Sequence, residues 1–258
     1  MVRPLNARAL LPLAACLIAA VAMGGRSRAA AAQTTAGHGT IKGHVKLTGK
    51  LPGNPIIRMG MDPMCAKINA GKRVIQENVV ANLNGDLANV FVSLQGTFPR
   101  TPVPTAPVVI DQRACIYVPR VIGARVGQTL QVKNSDELLH NIHGLSAKGN
   151  DFNVSTPKAG MVQQLTLKNE EVMLKIKCDV HSWMTTYVGV VTHPYFAVSN
   201  EGGTFEIANV PSGTYPIQAW HERYGPIVQM VRVRAGATTM VDFTYTEESE
   251  RSKVRSAK

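Results

Sequence analysis

The chain has 258 residues, of which 45% are hydrophobic, and its formal net charge is +11 from 28 basic and 17 acidic residues. This hydrophobic fraction is typical of a globular protein with a packed core and excludes a disordered chain. The basic residues are scattered, and neither a basic stripe nor a nucleic-acid-binding motif is present, so the sequence predicts no nucleic-acid partner.

Residues 1–32 have the pattern of a cleavable export signal. Arg3 and Arg8 form a positive start, residues 10–23 are apolar, and small residues follow up to a predicted cleavage site near Ala32. A transmembrane anchor is the alternative, but the apolar run is shorter than the roughly 20 residues that a bilayer span needs. We therefore expect a bacterial periplasmic or secreted protein without a transmembrane span.

A lipid anchor is the second alternative for this segment. Leu13-Ala14-Ala15-Cys16 is similar to a bacterial lipobox, yet the apolar stretch continues beyond Cys16, whereas a lipidated cysteine should follow it. We therefore do not expect a lipoprotein. Removal of the segment takes away four arginines and leaves a net charge of +7, which could favour an acidic partner or simply solubility.

The remaining chain is dominated by short segments in which apolar and polar residues alternate. Such alternation predicts half-buried strands, and the turn-forming residues between the segments favour antiparallel connections. No long segment has the 3.6-residue period of a helix, so we predict an all-β fold. The clearest alternating segments are 41–47, 172–177 and 239–245.

The most informative residues form a short series of potential metal ligands. Cys178, His181 and Met184 lie within seven residues, and His140 lies upstream, with His143 as a possible extra ligand. Thiolate, imidazole and thioether are soft ligands, and two histidines, a cysteine and a weak axial methionine form the blue-copper arrangement. Zinc would accept the cysteine and histidines but has little use for methionine. A buried cysteine beside a packed methionine is the alternative without metal.

The segments around these residues resemble the cupredoxin family, which includes plastocyanin and azurin. Residues 126–136 look like the strand before the first histidine ligand, His140-Asn141 matches the His-Asn pair of the family, and residues 174–178 resemble the strand that enters the cysteine loop. The resemblance covers about 106–192. It implies a Greek-key β-sandwich with His140, Cys178, His181 and Met184 as copper ligands.

The loop itself departs from plastocyanin, since its spacing C-x2-H-x2-M is shorter. The H-x2-M part is similar to the copper loop of cytochrome oxidase subunit II, but the second cysteine of that binuclear site is absent. We therefore expect one copper per chain. The family resemblance further implies that His181 lies near the surface and forms the edge through which electrons enter and leave. If residues 140–143 are extended, His140 and His143 point to opposite faces, which favours His140 as the ligand.

Three cysteines remain after the signal segment: Cys65, Cys115 and Cys178. An odd count in an oxidising compartment leaves one thiol unpaired. If Cys178 binds copper, a Cys65–Cys115 disulfide follows as the prediction, with two separate buried thiols as the alternative.

A second pattern begins near Phe196 and resembles the carboxypeptidase regulatory-like domain, a small transthyretin-like or Ig-like β-sandwich. It covers 194–246, and its opening strands look displaced to within 38–104. We therefore predict a discontinuous sandwich with the cupredoxin-like segment inserted, whereas two or three sequential domains are the simpler alternative. The polar residues 247–258 are predicted to be a disordered tail.

These features favour an exported mononuclear, type 1-like copper protein that transfers electrons to a redox partner, which could have an acidic surface. Copper storage or delivery is one alternative, and a structural or carbohydrate-binding sandwich without a redox role is another. We predict no enzymatic activity, because the hydrolase motifs G-x-S-x-G and H-E-x-x-H are absent. His193 and His221 are expected to be structural or surface residues, and a second metal site would require the fold to bring them together.

Overall fold

The computed structural model describes residues 37–249, so the predicted signal peptide and residues 250–258 of the predicted tail lie outside the described residues. The described chain consists almost entirely of strands, which confirms the all-β prediction. In chain order the elements are β1 (His38–Leu47), a 3-10 turn (Met59–Met61), α1 (Pro63–Ile68), β2 (Phe91–Leu94), β3 (Val108–Arg113), β4 (Ile116–Val118), β5 (Val121–Arg125), β6 (Thr129–Asn134), β7 (His140–Leu145), β8 (Phe152–Thr156), β9 (Val162–Thr166), β10 (Glu171–Lys177), β11 (Thr185–Val191), β12 (Phe196–Val198), β13 (Thr204–Pro211), β14 (Gly213–His221), β15 (Gly225–Val233), β16 (Thr238–Met240) and β17 (Phe243–Tyr245).

Two of the four sheets use only strands from the beginning and the end of the described chain. In one sheet β1 pairs antiparallel with β13 and parallel with both β16 and β17, and the other has the order β12-β2-β14-β15. We call these two sheets the outer sandwich. Their shared core includes Ile41, Val92, Ile217 and Phe243, so strands far apart in sequence bury one another's apolar faces.

The other two sheets use only strands from the middle of the chain. Their orders are β5-β11-β10-β7-β8 and β4-β3-β6-β9, with β5–β11 and β3–β6 as the parallel pairs. We call them the inner sandwich. Its apolar core includes Ile110, Leu130, Leu174 and Val188, and Cys178 and Met184 belong to the same cluster. The potential metal ligands therefore lie at the margin of this core.

Alternation in the sequence accounts for which side of each strand is buried. In β1 the apolar residues Ile41, Val45 and Leu47 are buried, whereas Lys42 and Lys46 are exposed. Such period-two burial is what a sheet with one face on a core requires. The predicted segment 239–245 is divided in the structure between β16 and β17, which both pair with β1.

The single short helix of the described chain, α1, begins at a recognisable start signal. Asp62 accepts a hydrogen bond from the Cys65 backbone N–H at 2.9 Å, and Pro63 occupies the first helical turn. A side-chain acceptor before the helix and a proline at its first position are both favourable there. The helix carries Cys65, which forms the predicted disulfide with Cys115, and that prediction is confirmed.

Two further predictions concern the membrane and the tail. Within residues 37–249, none of the helices is long and apolar enough to cross a membrane. Residues 247–249 have helical backbone, and the Ser249 N–H donates to the Thr246 carbonyl at 3.1 Å.

Candidate metal centre

Two neighbouring strands bring the potential ligands to one end of the inner sandwich. His140 is the first residue of β7, and Cys178 directly follows β10. The two strands are antiparallel partners, with His143 opposite Lys177, so the start of one lies beside the end of the other. Pairing between strands therefore joins two segments that are about 40 residues apart in sequence.

The loop from Cys178 to Met184 is closed by its own backbone. The Cys178 N–H donates to the Met184 carbonyl at 3.2 Å, and the Met184 N–H donates to the His181 carbonyl at 2.9 Å. Asn141 ties this loop to β7, because its side-chain oxygen accepts the Asp179 N–H at 2.6 Å. These hydrogen bonds thus hold Cys178, His181 and Met184 close together in a tight turn.

Three of the four predicted ligands meet in a buried cluster. The ligand atoms of His140, Cys178 and His181 all lie within 4.8 Å of one another. The two histidine Nδ1 atoms are 3.0 Å apart, and the Cys178 sulfur is 3.8 Å from the His181 Nδ1. Their residues are at most 2% exposed. Met184 is 1% exposed and packs in the same apolar cluster as Cys178.

Each histidine of the cluster is held from behind by a carboxylate. The Nε2 of His140 lies 2.9 Å from an oxygen of Asp136, and the Nε2 of His181 lies 3.0 Å from an oxygen of Asp62. An ionised carboxylate can only accept, so each Nε2 carries the hydrogen. In the neutral imidazole each Nδ1 then presents its lone pair to the centre of the cluster, the orientation that metal-binding histidines usually receive from a carboxylate, whereas in the protonated ring Nδ1 can donate to the Cys178 sulfur.

The arrangement of donors fits a soft metal ion. Two Nδ1 lone pairs 3.0 Å apart repel each other unless a proton or a cation lies between them. The Cys178 thiolate completes the set, and Met184, which packs in the same apolar cluster as Cys178, could supply the weak thioether of copper sites with two histidines, one cysteine and a methionine. His140, Cys178, His181 and Met184 are therefore the residues that could hold a copper ion.

Electrostatics favour a thiolate at the centre. Burial raises the pKa of Cys178, but the hydrogen bonds from His140 and His181 outweigh it and lower the pKa to about 6. Burial lowers the pKa of His140, yet its bonds to Asp136 and Cys178 leave the pKa raised. The pKa of His181 is raised in the same way by Cys178 and Asp62 against burial. The pocket thus stabilises an anionic sulfur beside two imidazoles.

His143 lies outside this cluster. It is half-buried on the other side of β7, and its Nδ1 is 2.9 Å and 3.1 Å from the two oxygens of Asp179. Lys177 pairs with the same carboxylate at 2.8 Å. The possible extra ligand is therefore engaged in a partly exposed ion-pair network, and the structure does not bring it to the other three residues.

His181 is not at the surface, which corrects the expectation taken from the family resemblance. Its residue is 1% exposed. Asp62 and Cys65, from the segment around α1, contact its Nε2 at 3.0 Å and 3.5 Å, and the Trp183 ring packs 5.1 Å from its ring centre. A segment far upstream in the sequence therefore covers the ring edge that was expected to face solvent.

Sequence reasoning missed both carboxylates of the centre. Asp136 also accepts the backbone N–H groups of Ala114 and Cys115 at 2.8 Å, so it joins the first histidine to the disulfide. Its position four residues before His140 was a usable signal. Asp62 had only a helix-start signal, because 119 residues separate it from His181.

Comparison with known proteins gives partial structural similarity only. None of the known family models matches the chain, and none of the curated proteins does. Among solved structures, a copper(I) form of an amicyanin variant is 19% identical, over 38% of this chain and 97% of amicyanin, with a TM-score of 0.30. A purple cupredoxin from Nitrosopumilus maritimus is 23% identical, over 32% of this chain and 97% of its own, with a TM-score of 0.28.

A third similar structure is a copper-containing nitrite reductase from Thermus scotoductus SA-01. It is 19% identical over 37% of this chain, with a TM-score of 0.29, and the match spans only 24% of the reductase. At this level of similarity, the functional assignment depends on the residues of the centre itself.

Proposed function

We propose that the protein binds one copper ion through His140, Cys178, His181 and Met184 and transfers electrons. The observation that supports it best is the buried cluster in which two carboxylate-held histidines direct their Nδ1 atoms, 3.0 Å apart, towards one another beside a cysteine. Copper in such a site supplies one-electron exchange, since thiolate and imidazole accept both of its oxidation states.

The chain's own residues would do three things for this function. Cys178 and the two histidines provide the strong donors, and Asp136 and Asp62 orient the rings. The apolar core that contains Met184 excludes water from the sulfur side of the centre. A preorganised, dry site resists rearrangement when its charge changes, which is what rapid electron transfer requires.

We propose a carrier rather than an enzyme. Catalytic metal sites usually keep one coordination position open for water or substrate. Here all four proposed donors come from the protein, and they are at most 2% exposed. A redox protein is the expected partner, and the net positive charge of the chain suits an acidic surface on that partner.

We further propose that residues 106–192 form the copper-binding unit and that the outer sandwich supports it. The strand pairing favours this division, since β3–β11 pair only among themselves in the described chain. The outer strands would then come from 38–104 and 194–246. The carboxypeptidase regulatory-like resemblance of that part, the signal peptide and export to the periplasm or beyond stay predictions.

Copper storage or delivery is a second candidate, and the burial of His181 favours it. A carrier exchanges electrons most readily when a ligand reaches the surface, whereas a storage site profits from a covered one. Stopped-flow reduction of the copper-loaded protein separates the two candidates. Complete and reversible reduction by a small one-electron donor within milliseconds to seconds supports electron transfer, and reduction over many minutes supports storage.

The proposal is tested by the metal content and visible absorption of the purified protein. We expect one copper per chain and an intense thiolate-to-copper absorption band. Cys178→Ser should abolish the band, because an alcohol cannot replace the soft anionic donor. Asp151→Asn, an exposed site elsewhere, is the control and should keep the band. Full colour in the serine variant would refute the copper assignment.

A further inference from the structure

A small structural unit covers the candidate copper centre. Residues 59–69, which we call the cap, contain the 3-10 turn and α1. An oxygen of Asp62 lies 3.0 Å from the Nε2 of His181, and the Cys65 sulfur lies 3.5 Å from the same atom. Because His181 is only 1% exposed, the cap closes the side of the ring that faces away from the other ligands.

The cap is attached to the inner sandwich at a few strong points. Cys65 is joined to Cys115 by the disulfide, and the Asn69 side-chain amide donates to the Ala114 carbonyl at 3.0 Å. Both contacts reach the turn between β3 and β4, so the cap is anchored there in addition to its contacts with His181.

The apolar contact under the cap is small. The buried residues of its cluster are Met59, Cys65 and Cys115, and Ala66 and Ile68 of the cap are partly buried against them. Met61 and Met64 of the same segment are 94% and 44% exposed. None of the cap residues belongs to one of the described strands. Segments with few buried contacts open at lower free energy than a core does, so the cap can lift without unfolding either sandwich.

Asp62 has two roles that connect the cap to the centre. Its Oδ1 accepts the Cys65 N–H at 2.9 Å and starts α1, while its Oδ2 accepts from His181 at 3.0 Å. A single carboxylate therefore fixes the fold of the cap and the tautomer of the ring. The equivalent partner of His140, Asp136, is 5% exposed and belongs to the inner sandwich itself.

We propose that Asp62 is a positioning residue that holds His181 and latches the cap, so that the centre exchanges metal only when the cap lifts. The inference rests on the proposed function for the identity of the metal. Covering of the centre by the cap does not depend on copper and can be measured without it.

The first experiment uses metal-free protein and measures alkylation of Cys178 by iodoacetamide, followed by mass spectrometry of the peptide that contains it. Cys178 lies behind His181, at 3.8 Å from its Nδ1. Asp62→Ala should speed alkylation at least about 10-fold, the change expected when the closed state loses a hydrogen bond to a charged group. Asp62→Asn should give an intermediate rate, because Cys65 and His181 donate to different oxygens of Asp62 and an amide keeps only one of these two acceptors.

A control and a second variant keep the result interpretable. Asp151→Ala removes an exposed carboxylate elsewhere and should alkylate like the wild type. The double variant Cys65→Ser, Cys115→Ser removes the disulfide that anchors the cap, and its Cys178 should be alkylated faster still. Equal rates in all variants would overturn the inference, and so would an Asp62→Asn variant that alkylates like the wild type, since a latch that uses both carboxylate oxygens must weaken when one of them becomes an amide NH2.

The second experiment uses copper-loaded protein and measures transfer of copper to an excess of a strong chelator. We expect Asp62→Ala to release copper at least about 10-fold faster and to shift the visible spectrum, with Asp62→Asn between this variant and the wild type. A wild type that takes up no copper would refute the proposed function, while the alkylation rates would still decide the role of the cap. Normal copper binding by the wild type with an unchanged rate of copper release in Asp62→Ala would refute the proposed role of the cap but not the proposed function.

Discussion

The two sandwiches treat buried histidines in opposite ways. In the inner sandwich, His140 and His181 face each other and are each held by a carboxylate, and their pKa values are raised. In the outer part, His193 is 3% exposed and its Nδ1 accepts the Tyr195 N–H at 3.2 Å. Burial lowers its pKa to about 4, against a hydrogen bond with the Leu94 backbone and with a further contribution from Arg125.

The contrast shows what distinguishes the histidines of the candidate centre from a packed one. Burial penalises the charged imidazole in both sandwiches. Only in the inner one do anionic neighbours reverse the direction. His193 instead packs among aromatic rings, with Phe98 at 4.6 Å and Tyr195 at 5.7 Å between ring centres. Within residues 37–249, the candidate metal-binding groups include His140 and His181 but not His193 or His221.

The largest effect is expected from removing a histidine of the centre. His140→Ala deletes one of the two facing Nδ1 donors, so copper affinity should fall by more than the roughly 100-fold loss that follows removal of an outer partner. His143→Ala is the matched control on the same strand. It removes only the contact with Asp179 and should leave affinity near that of the wild type, with at most a tuned spectrum.

Competitive copper titration against a chelator of known affinity measures both variants, with circular dichroism to verify the fold. The opposite ranking would make His143 the ligand. Equal losses would indicate a centre with an additional imidazole.

The sequence brought out the proposed ligands because they lie in two short segments. The spacing of Cys178, His181 and Met184 is local, and strand alternation placed His140 and His143 on different faces. Burial at period two likewise made β1 and β17 recognisable, as Phe243 and Tyr245 are buried and Thr244 is exposed. Patterns of this kind depend only on near neighbours in the chain, which is why they can be read without a structure.

The cap could not be predicted in the same way. Asp62 and His181 are 119 residues apart, and neither local period nor spacing relates them. The helix signal Asp62-Pro63 was present but short, since α1 has only six residues. The family resemblance placed His181 near the surface as the edge for electron transfer, whereas the residue is 1% exposed. The reason is the same: long-range contacts decide exposure, and the resemblance did not cover the segment that makes them.

The second prediction concerns the pH dependence of protein stability, to which His193 contributes in the opposite direction from His140 and His181. His193 has a pKa of about 4 in the folded protein and about 6.5 when unfolded. Between these values only the unfolded chain binds the proton. The free energy of unfolding should therefore fall as the pH is lowered through this window, by about 3 kcal/mol in total. The raised pKa values of His140 and His181 act in the opposite direction, since they add stability below pH 6.5 that is lost as pH rises.

His193→Gln and His193→Phe isolate this contribution in metal-free protein, because both keep the inner histidines and neither can be protonated. Urea unfolding between pH 7.5 and 4.5 should give the two variants the same shallower loss of stability, whatever their stability at pH 7.5. A pH dependence identical to that of the wild type would show that His193 is not the group responsible.

The smallest of the three effects is expected from changing a carboxylate that holds a histidine of the centre. Such carboxylates distinguish these histidines from His193. Asp136 accepts from His140 Nε2 and from the Cys115 N–H with the same oxygen, and from the Ala114 N–H with the other. In Asp136→Asn the amide NH2 must face at least one of these donors, so the His140 tautomer is no longer fixed. We expect copper affinity to fall about 10- to 100-fold and the absorption band to shift rather than vanish. Asp111→Asn is the control, because Asp111 accepts from Ser135 at 2.7 Å and does not touch His140. Copper titration with visible spectra decides the outcome: unchanged affinity in Asp136→Asn would mean that burial by the sandwich alone orients His140, and that the carboxylate is not what makes the inner histidines different.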